Sequence, residues 1–449
     1  MNNTQKKTLS IYIYNVIEDE WGFISSFEKR KHKKLIYSSH RFADCYLFAN
    51  ALLPSFTLIS PITINPDVVQ YFEELSGSHC RVLVPKQKTP FICENMILDK
   101  KAFSTLVSEA KKIGSLTMYV YSMTSHVFAL KKKFEKAGVT VFLPEGMQEK
   151  DLWTVAHFGS KSGFRKSFSP LMPMGSIESD PDKVVQNAVK LFSSSKYGIV
   201  LKTDKGNAGQ GVHILRKSKI ITVEKLKLEL RKIFKKEPHL KKHLIILETY
   251  INTRNEKKCP FPSIECFIHQ NGRIEIPYYC NMIVTPSGEF YGMEMHKNVF
   301  TGSLKKKVLD ITMKIAKTYR SAGYRGRFDI DMVYDGKQVY AGESNTRTNG
   351  GTDTYIIVKK LVGNNVFSDR YVLSSYISLP KKVQATFRAV KEHLKSYLFD
   401  KKNKTGLIIN SESVIKGGGL TYILVGKNKR QTLLMRHRVK LRLKKLKNP

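Results

Sequence analysis

FDIDMVYDGKQVYAGESNTRTNGGTDTY, running from Phe328 to Tyr355, reads as two β-strands on either side of Asp335-Gly336, a dipeptide that marks a turn. Asp329 and Asp331 fall on the first strand, and Glu343, Asn345 and Arg347 run along the second. Strand residues two apart share a face. A two-residue turn would set Asp331 opposite Tyr340 and send Glu343 and Asn345 to the other side of the sheet. A three-residue turn pairs Asp331 with Ala341 and Asp329 with Glu343, and all the oxygen ligands then share one face. The spacing therefore predicts an odd-length loop or a bulge. Carboxylates and an amide oxygen on one face are hard donors suited to Mg2+, which takes few protein ligands and fills its shell with water and substrate phosphates. The bland alternative is a hairpin with a solvated acidic face.

Working outward, Tyr197 to Leu215, YGIVLKTDKGNAGQGVHIL, places Gly206, Gly209 and Gly211 between two β-like segments, with Lys202 ending the first. Glycines permit positive φ and close backbone approach, so a row of N–H groups can face phosphate oxygens. The order strand, Gly-rich loop, strand differs from Rossmann and Walker A loops, which open a helix. Next comes LIILETYI, Leu244 to Ile251, an apolar strand whose end can line an adenine slot, with Glu248 accepting from the amino group. A buried strand end is the plainer alternative for that segment taken singly.

These parts, in this order over roughly Lys161 to Tyr355, resemble the ATP-grasp superfamily of ATP-dependent carboxylate–amine or carboxylate–thiol ligases. The run ESNTRTNGGTDTY is most similar to members that join amino acids or build peptides. The resemblance implies that Lys202 contacts the α- and β-phosphates and adenine, and that the Gly206–Gly211 loop closes over the phosphates. Glu248, Tyr250 and Ile251 would hold adenine, and Lys161 would be a further ATP lysine. Asp331, Glu343 and Asn345 would bind Mg2+ (or Mn2+), and Arg347 would stabilise an acyl phosphate. Gly350, Gly351 and Thr352 would form the substrate-side loop. Ser263 and Glu265 are candidates for the ribose contact. Members are often dimers, and the resemblance suggests a homodimer.

The fold class expected is α/β and α+β multidomain. An N-terminal α/β pre-grasp domain spans 1–158, an ATP-grasp domain of two α+β subdomains spans 159–379, and a basic C-terminal extension spans 380–449. In the first region, Leu9 to Val16, Arg81 to Pro85, Leu116 to Tyr121 and Val139 to Leu143 read as strands. Thr124 to Ala137 has apolar residues at helical spacing and stops at Gly138. No Gly-rich fingerprint lies at these turns, which argues against a dinucleotide site. Gly159 to Asp182 reads as a loop-rich boundary. Helices are expected at Asp182 to Phe192 and Leu304 to Ala322, with alternating strands between them and Asn271-Gly272 and Ser287-Gly288 as hairpin turns. In the tail, Val383 to Leu398 reads as a helix and Leu420 to Met435 as a hairpin. Arg436 to Lys447 is either a strand or a basic amphipathic helix.

Composition sets the outer bounds. A chain of 449 residues that is 41% hydrophobic can build two or three cored domains. The longest apolar runs are far too short to span a bilayer, and the N-terminus lacks a signal peptide's apolar core, so a cytoplasmic location is expected. The six cysteines have neither C-x-x-C nor zinc spacing and read as buried thiols. The net charge of +38 favours polyanions or acidic substrates, or else reflects a Lys-rich solvated surface. From Lys381 to Pro449 there are 19 Lys and Arg against 3 Asp and Glu.

The activity the resemblance implies is conversion of a carboxylate to an acyl phosphate by ATP and its capture by an amine, on an amino acid or peptide. A small-molecule kinase using the same nucleotide site is one rival. A non-catalytic binder of nucleic acid or a membrane surface, with a vestigial ATP site, is another.

Overall fold

The computed structural model describes residues 8–206, 211–254, 256, 258–380 and 383–446. Three sheets organise them. The first is five parallel strands, β1 (Leu9–Ile13), β2 (Ser55–Ile59), β3 (His79–Leu83), β4 (Leu116–Val120) and β5 (Val141–Phe142), in the order β3-β2-β1-β4-β5. The chain winds outward in both directions from β1 and β4, so a crevice opens at their carboxyl ends, where α/β sheets bind ligands. Asn15 bridges that crevice: its amide donates to the Ser122 carbonyl at 2.8 Å and its Oδ1 accepts from the Tyr121 and Ser122 N–H groups. The helix Ser125–Lys136 buries Val127, Phe128, Leu130 and Phe134 on one face, and the Thr124 hydroxyl caps it by accepting from the Val127 N–H. Such a cap contributes about 1 kcal/mol.

The second sheet is antiparallel and has four strands, β6 (Gly175–Glu178), β7 (Gly198–Thr203), β8 (Val212–Arg216) and β9 (Ile245–Thr249), in the order β6-β9-β7-β8. It has its own core, in which Val184 and Phe192 of the helix Pro181–Ser194 and Leu230 and Phe234 of the helix Val223–Lys236 meet Leu201 and Leu247. The third sheet holds β10 (Pro262–Ile268), β11 (Ile274–Val284), β12 (Phe290–Met295), β13 (Gly326–Tyr334), β14 (Val339–Asn345), β15 (Tyr371–Ser378), β16 (Gly406–Ile409) and β17 (Gly419–Gly426). Their order is β14-β13-β10-β11-β12-β15-β17-β16.

Several expectations need correction. Gly159 to Asp182 is no plain loop: it contains the helix Lys161–Phe168, capped by the Ser160 side chain, and the edge strand β6. Its Pro and Gly residues punctuate these short elements. The tail hairpin at Leu420 to Met435 is instead the strand β17 followed by the helix Lys429–Leu443, which also settles Arg436 to Leu443 as helical. The helix expected over Val383 to Leu398 is confined to Phe387–His393 and a following 3-10 turn. The segment after Pro380 is not set apart either. Its strands β16 and β17 are hydrogen-bonded into the eight-stranded sheet, and Leu407, Ile423 and Leu424 share one core with Phe48, Phe56 and Phe72 of the first region. All six cysteines are free and buried. Among the described residues, no helix is long and apolar enough to cross a membrane.

Candidate active site

The acidic hairpin forms, and a bulge aligns it. From Tyr334 to Met332 the pairing is Tyr334↔Val339, Val333↔Tyr340 and Met332↔Ala341. Kept unbroken, that register would leave Glu343 and Asn345 on the face opposite Asp331. Gly342 is an extra residue at which the register slips, so Asp331 faces Glu343 and Asp329 faces Asn345. The bulge was expected; the pairing it produces is shifted by two residues from the three-residue-turn register, which keeps the same face. On the neighbouring strand β10, Ser263 stands opposite Asp331.

The charges in this patch are held by cations on three different elements. Lys161, at the start of its helix, places Nζ 2.8 Å from Glu343 Oε2. Arg347 donates to Asn345 Oδ1 at 2.6 Å and to the Tyr121 hydroxyl at 2.8 Å, and lies 3.3 Å from Asp19. Asn345 in turn donates to Asp329 Oδ1 at 2.9 Å. Burial, then Glu343, pushes the Asp331 carboxyl up to about 7. Burial and the neighbouring Asp331 also raise Asp329. Burial works against ionisation of Glu343 as well, yet Lys161 and Lys202 hold its carboxyl below the ordinary range.

No three His, Cys, Asp or Glu side chains converge into a self-sufficient metal cage among the described residues. The donor set nonetheless fits Mg2+, which is held by one or two carboxylates together with substrate phosphates. The facing pair Asp331 and Glu343 supplies those carboxylates. The neutral drift of Asp331 marks a carboxylate cluster short of positive charge.

On the second sheet, Lys202 of β7 and Glu248 of β9 form an ion pair at 2.6 Å. Arg165 grips the other Glu248 oxygen at 2.8 Å and also donates to the Pro173 carbonyl. Both Glu248 oxygens are thus engaged by cations from neighbouring elements. Arg216 lies over the Tyr250 ring, and the neighbouring Met174 side chain is 61% exposed. The β7–β8 turn carries Gly206 and Gly211. Gly211 has φ +72°, and a Cβ there would meet Thr203 Oγ1 at 2.3 Å. Gly209 lies outside the described residues.

Glu265, a candidate for the ribose contact, is engaged by protein partners. Its carboxylate is fully buried, pairs with Arg327, and accepts from Thr352 Oγ1 at 2.5 Å, Asn349 Nδ2 at 3.2 Å and Tyr278 at 3.3 Å. It anchors the loop that leads into the helix Thr352–Val362. In that loop Gly350 is exposed, while a Cβ on Gly351 would meet the Tyr278 hydroxyl at 2.1 Å. Arg165, Asp19, Tyr121 and Tyr278 carried no pattern in the sequence. They matter through contacts between residues distant in sequence, which only the fold brings together.

The same architecture recurs in solved structures. Biotin carboxylase from Campylobacter jejuni, in a β,γ-ATP complex, aligns over 98% of this chain and 92% of its own, with 10% identity and a TM-score of 0.57. N5-carboxyaminoimidazole synthetase from Staphylococcus aureus, complexed with ADP, aligns over 98% of both chains, with 12% identity and a TM-score of 0.54. The chain has the ATP-grasp fold. The biotin carboxylase domain dimer of Hydrogenobacter thermophilus 2-oxoglutarate carboxylase, with MgADP and bicarbonate, is a further ATP-grasp match, at 12% identity and a TM-score of 0.53 over 94% of this chain and 87% of that one. No family model and no curated protein sequence matches this chain.

Proposed function

We propose that this ATP-grasp protein is an ATP- and Mg2+-dependent, ADP-forming ligase that joins the carboxylate of an amino acid or peptide to an amine. The observation that carries the reading is the Asp331–Glu343 pair, aligned by the Gly342 bulge and backed by Lys161 and Arg347. Mg2+ bound there would neutralise the β- and γ-phosphates. Lys202 and the β7–β8 turn would seat the nucleotide, with the Thr249–Ile251 backbone against the base. A substrate carboxylate oxygen attacks the γ-phosphorus and ADP leaves. The amine then attacks the acyl carbon, phosphate leaves, and the amine proton passes to solvent or to a neighbouring base. Arg347, held by Tyr121 and Asp19 at the switch-point crevice, would steady the anionic acyl phosphate. Its tie to the first domain would bring substrate from that crevice to the nucleotide. Positioning and charge neutralisation account for such chemistry without a dedicated nucleophile.

The test is incubation with Mg-ATP and hydroxylamine across pools of amino acids and small carboxylic acids. Hydroxamate formation together with ADP release is the expected result. ADP release that yields a phosphorylated alcohol and no hydroxamate would move the assignment to a kinase.

A further inference from the structure

A cleft lined by lysines lies beside the candidate active site. The cleft, of about 400 Å³, separates the end of the helix Val16–Ile24 from the end of β7 and the start of β9. Gly22 and Ser25 line one wall; Asp204, Lys205, Lys242 and His243 line the other. We infer that this cleft binds the acidic group of a carboxylate-bearing peptide or amino-acid substrate. The inference rests on the ligase reading for what the ligand is used for, though not for its binding.

The charge balance inside the cleft favours an anion. Asp204 is its one carboxylate, and the Ser162 N–H already occupies its Oδ1 at 2.7 Å. Lys242 donates to the Ser26 carbonyl at 2.9 Å, which fixes its ammonium group at the wall. Lys205 lies across Gly22, where a Cβ would meet its Nζ at 3.0 Å. Among the described residues, His243 Nε2 is buried with no hydrogen-bond partner. Burial lowers the His243 pKa, Asp204 opposes that, and Lys205 and Lys242 reinforce it. His239 is the other titratable ring at this wall. A carboxylate in the cleft would meet both ammonium groups.

Both walls lead directly to the candidate active site. The Asp204 carbonyl accepts from the Lys161 N–H, and Lys161 holds Glu343. On the other side, Asp19 of the lining helix pairs with Arg347. The rim extends the same chemistry outward. The helix Lys29–His40 opens with KRKHKK and buries none of its residues. Phe27, just before it, stacks on His239 at 4.0 Å, so this basic helix stands beside the cleft wall. An acidic peptide is therefore a better fit than a single small anion. At 300–1,000 Å³, ordinary ligand sites are of comparable size.

The test is calorimetric binding of tri-L-glutamate to the full chain, with MgADP binding measured on each variant. Lys205→Gln/Lys242→Gln should weaken tri-glutamate binding at least tenfold. Ser25→Asp, which puts a like charge in the mouth and leaves the Lys242 bond intact, should do the same and keeps the test decisive if the double variant fails to fold. Lys440→Gln/Arg442→Gln, remote on the C-terminal helix, should change it less than threefold. The His243 ring resonances should shift on titration with tri-glutamate. Equal weakening by the remote pair, or none by either cleft variant, would overturn the proposal, as would a short oligonucleotide of equal charge that binds the cleft as tightly. A wild-type protein that binds tri-glutamate at the cleft yet never binds MgADP would instead sink the ligase reading alone.

Discussion

At the scale of single residues, the site is a set of carboxylates whose neighbours decide their charge. Glu343 is the pivotal one, because Lys161 keeps it ionised while the facing Asp331 drifts towards neutrality. Glu343→Ala removes the proposed Mg2+ ligand and strands Lys161, so Mg-ATP turnover should fall by at least about 10²-fold, the usual scale for losing one charge-stabilising group. Steady-state ADP release checks this, and a variant within threefold of wild type would remove Glu343 from the site. Glu265 is a different kind of carboxylate, fully buried and bonded to Arg327, Thr352, Asn349 and Tyr278. Glu265→Ala leaves Arg327 without its partner, and breaking a buried pair from one side costs about 3–5 kcal/mol. The shift in urea midpoint measures that loss. These two residues also show what sequence can and cannot reveal. The D-x-D and E-x-N spacings identify strand faces and hence which acidic side chains lie together. Glu265 sits on an ordinary-looking strand, and only the pairing of β10 with β11 and β13 turns it inward to meet donors from three segments.

At the scale of elements, one glycine aligns the active hairpin. Gly342 lets β14 slip by a residue against β13, and its absent side chain spares the Asp331 carbonyl, which a Cβ would meet at 3.1 Å. Deleting Gly342 removes the extra residue and should leave Asp331 facing Glu343 and Asp329 facing Asn345 in an unbroken register. The variant should fold with near-wild-type circular dichroism and keep Mg2+-dependent nucleotide binding; lost binding would show that the bulge shapes the site beyond setting the shared face. Much of this was legible, because a period of two is readable wherever carboxylates alternate with apolar residues. The tail was less so. Leu420 to Met435 alternates well enough for a hairpin, yet its second half packs as a helix once Thr432, Val439 and Leu443 find the core. That choice is made by burial, which a local pattern does not contain. Asp44 shows the same long-range logic. It accepts from the Ser411 hydroxyl and the Glu412 and Ser413 N–H groups, tying the first region to the tail. Burial raises its carboxyl from 3.8 to about 6. The folded state then keeps a proton that the unfolded chain releases between those values, so this group's contribution is present below pH 4 and lost as pH rises through 6. Asp44→Asn cannot release that proton. The melting temperature of the variant minus that of wild type should therefore climb between pH 4 and 7, and a flat difference would mean that Asp44 titrates normally.

At the scale of the whole molecule, the excess of positive charge is a liability for the fold as well as an attraction for ligands. Seventy-six Lys and Arg face 38 Asp and Glu, and several of the acids are already committed inside the site or to buried ties. What remains on the surface is mostly like charge, which folding gathers into a smaller volume than the unfolded chain occupies. The Debye length shrinks to about 10 Å at 0.1 M salt, so modest salt screens repulsion between distant surface lysines. Buried pairs such as Arg165–Glu248 are screened far less, because their side chains are almost wholly removed from solvent. The two effects do not cancel: the screened term is repulsive and the protected term attractive. Sodium chloride raised from about 0.02 to about 0.3 M should therefore lift the melting temperature by a few degrees, read by calorimetry without nucleotide or peptide present. A fall over the same range would mean that surface ion pairs outweigh the net repulsion. The surface charge would then be acting locally, as matched partners, and a long-range field drawing acidic substrates to the cleft would lose its basis.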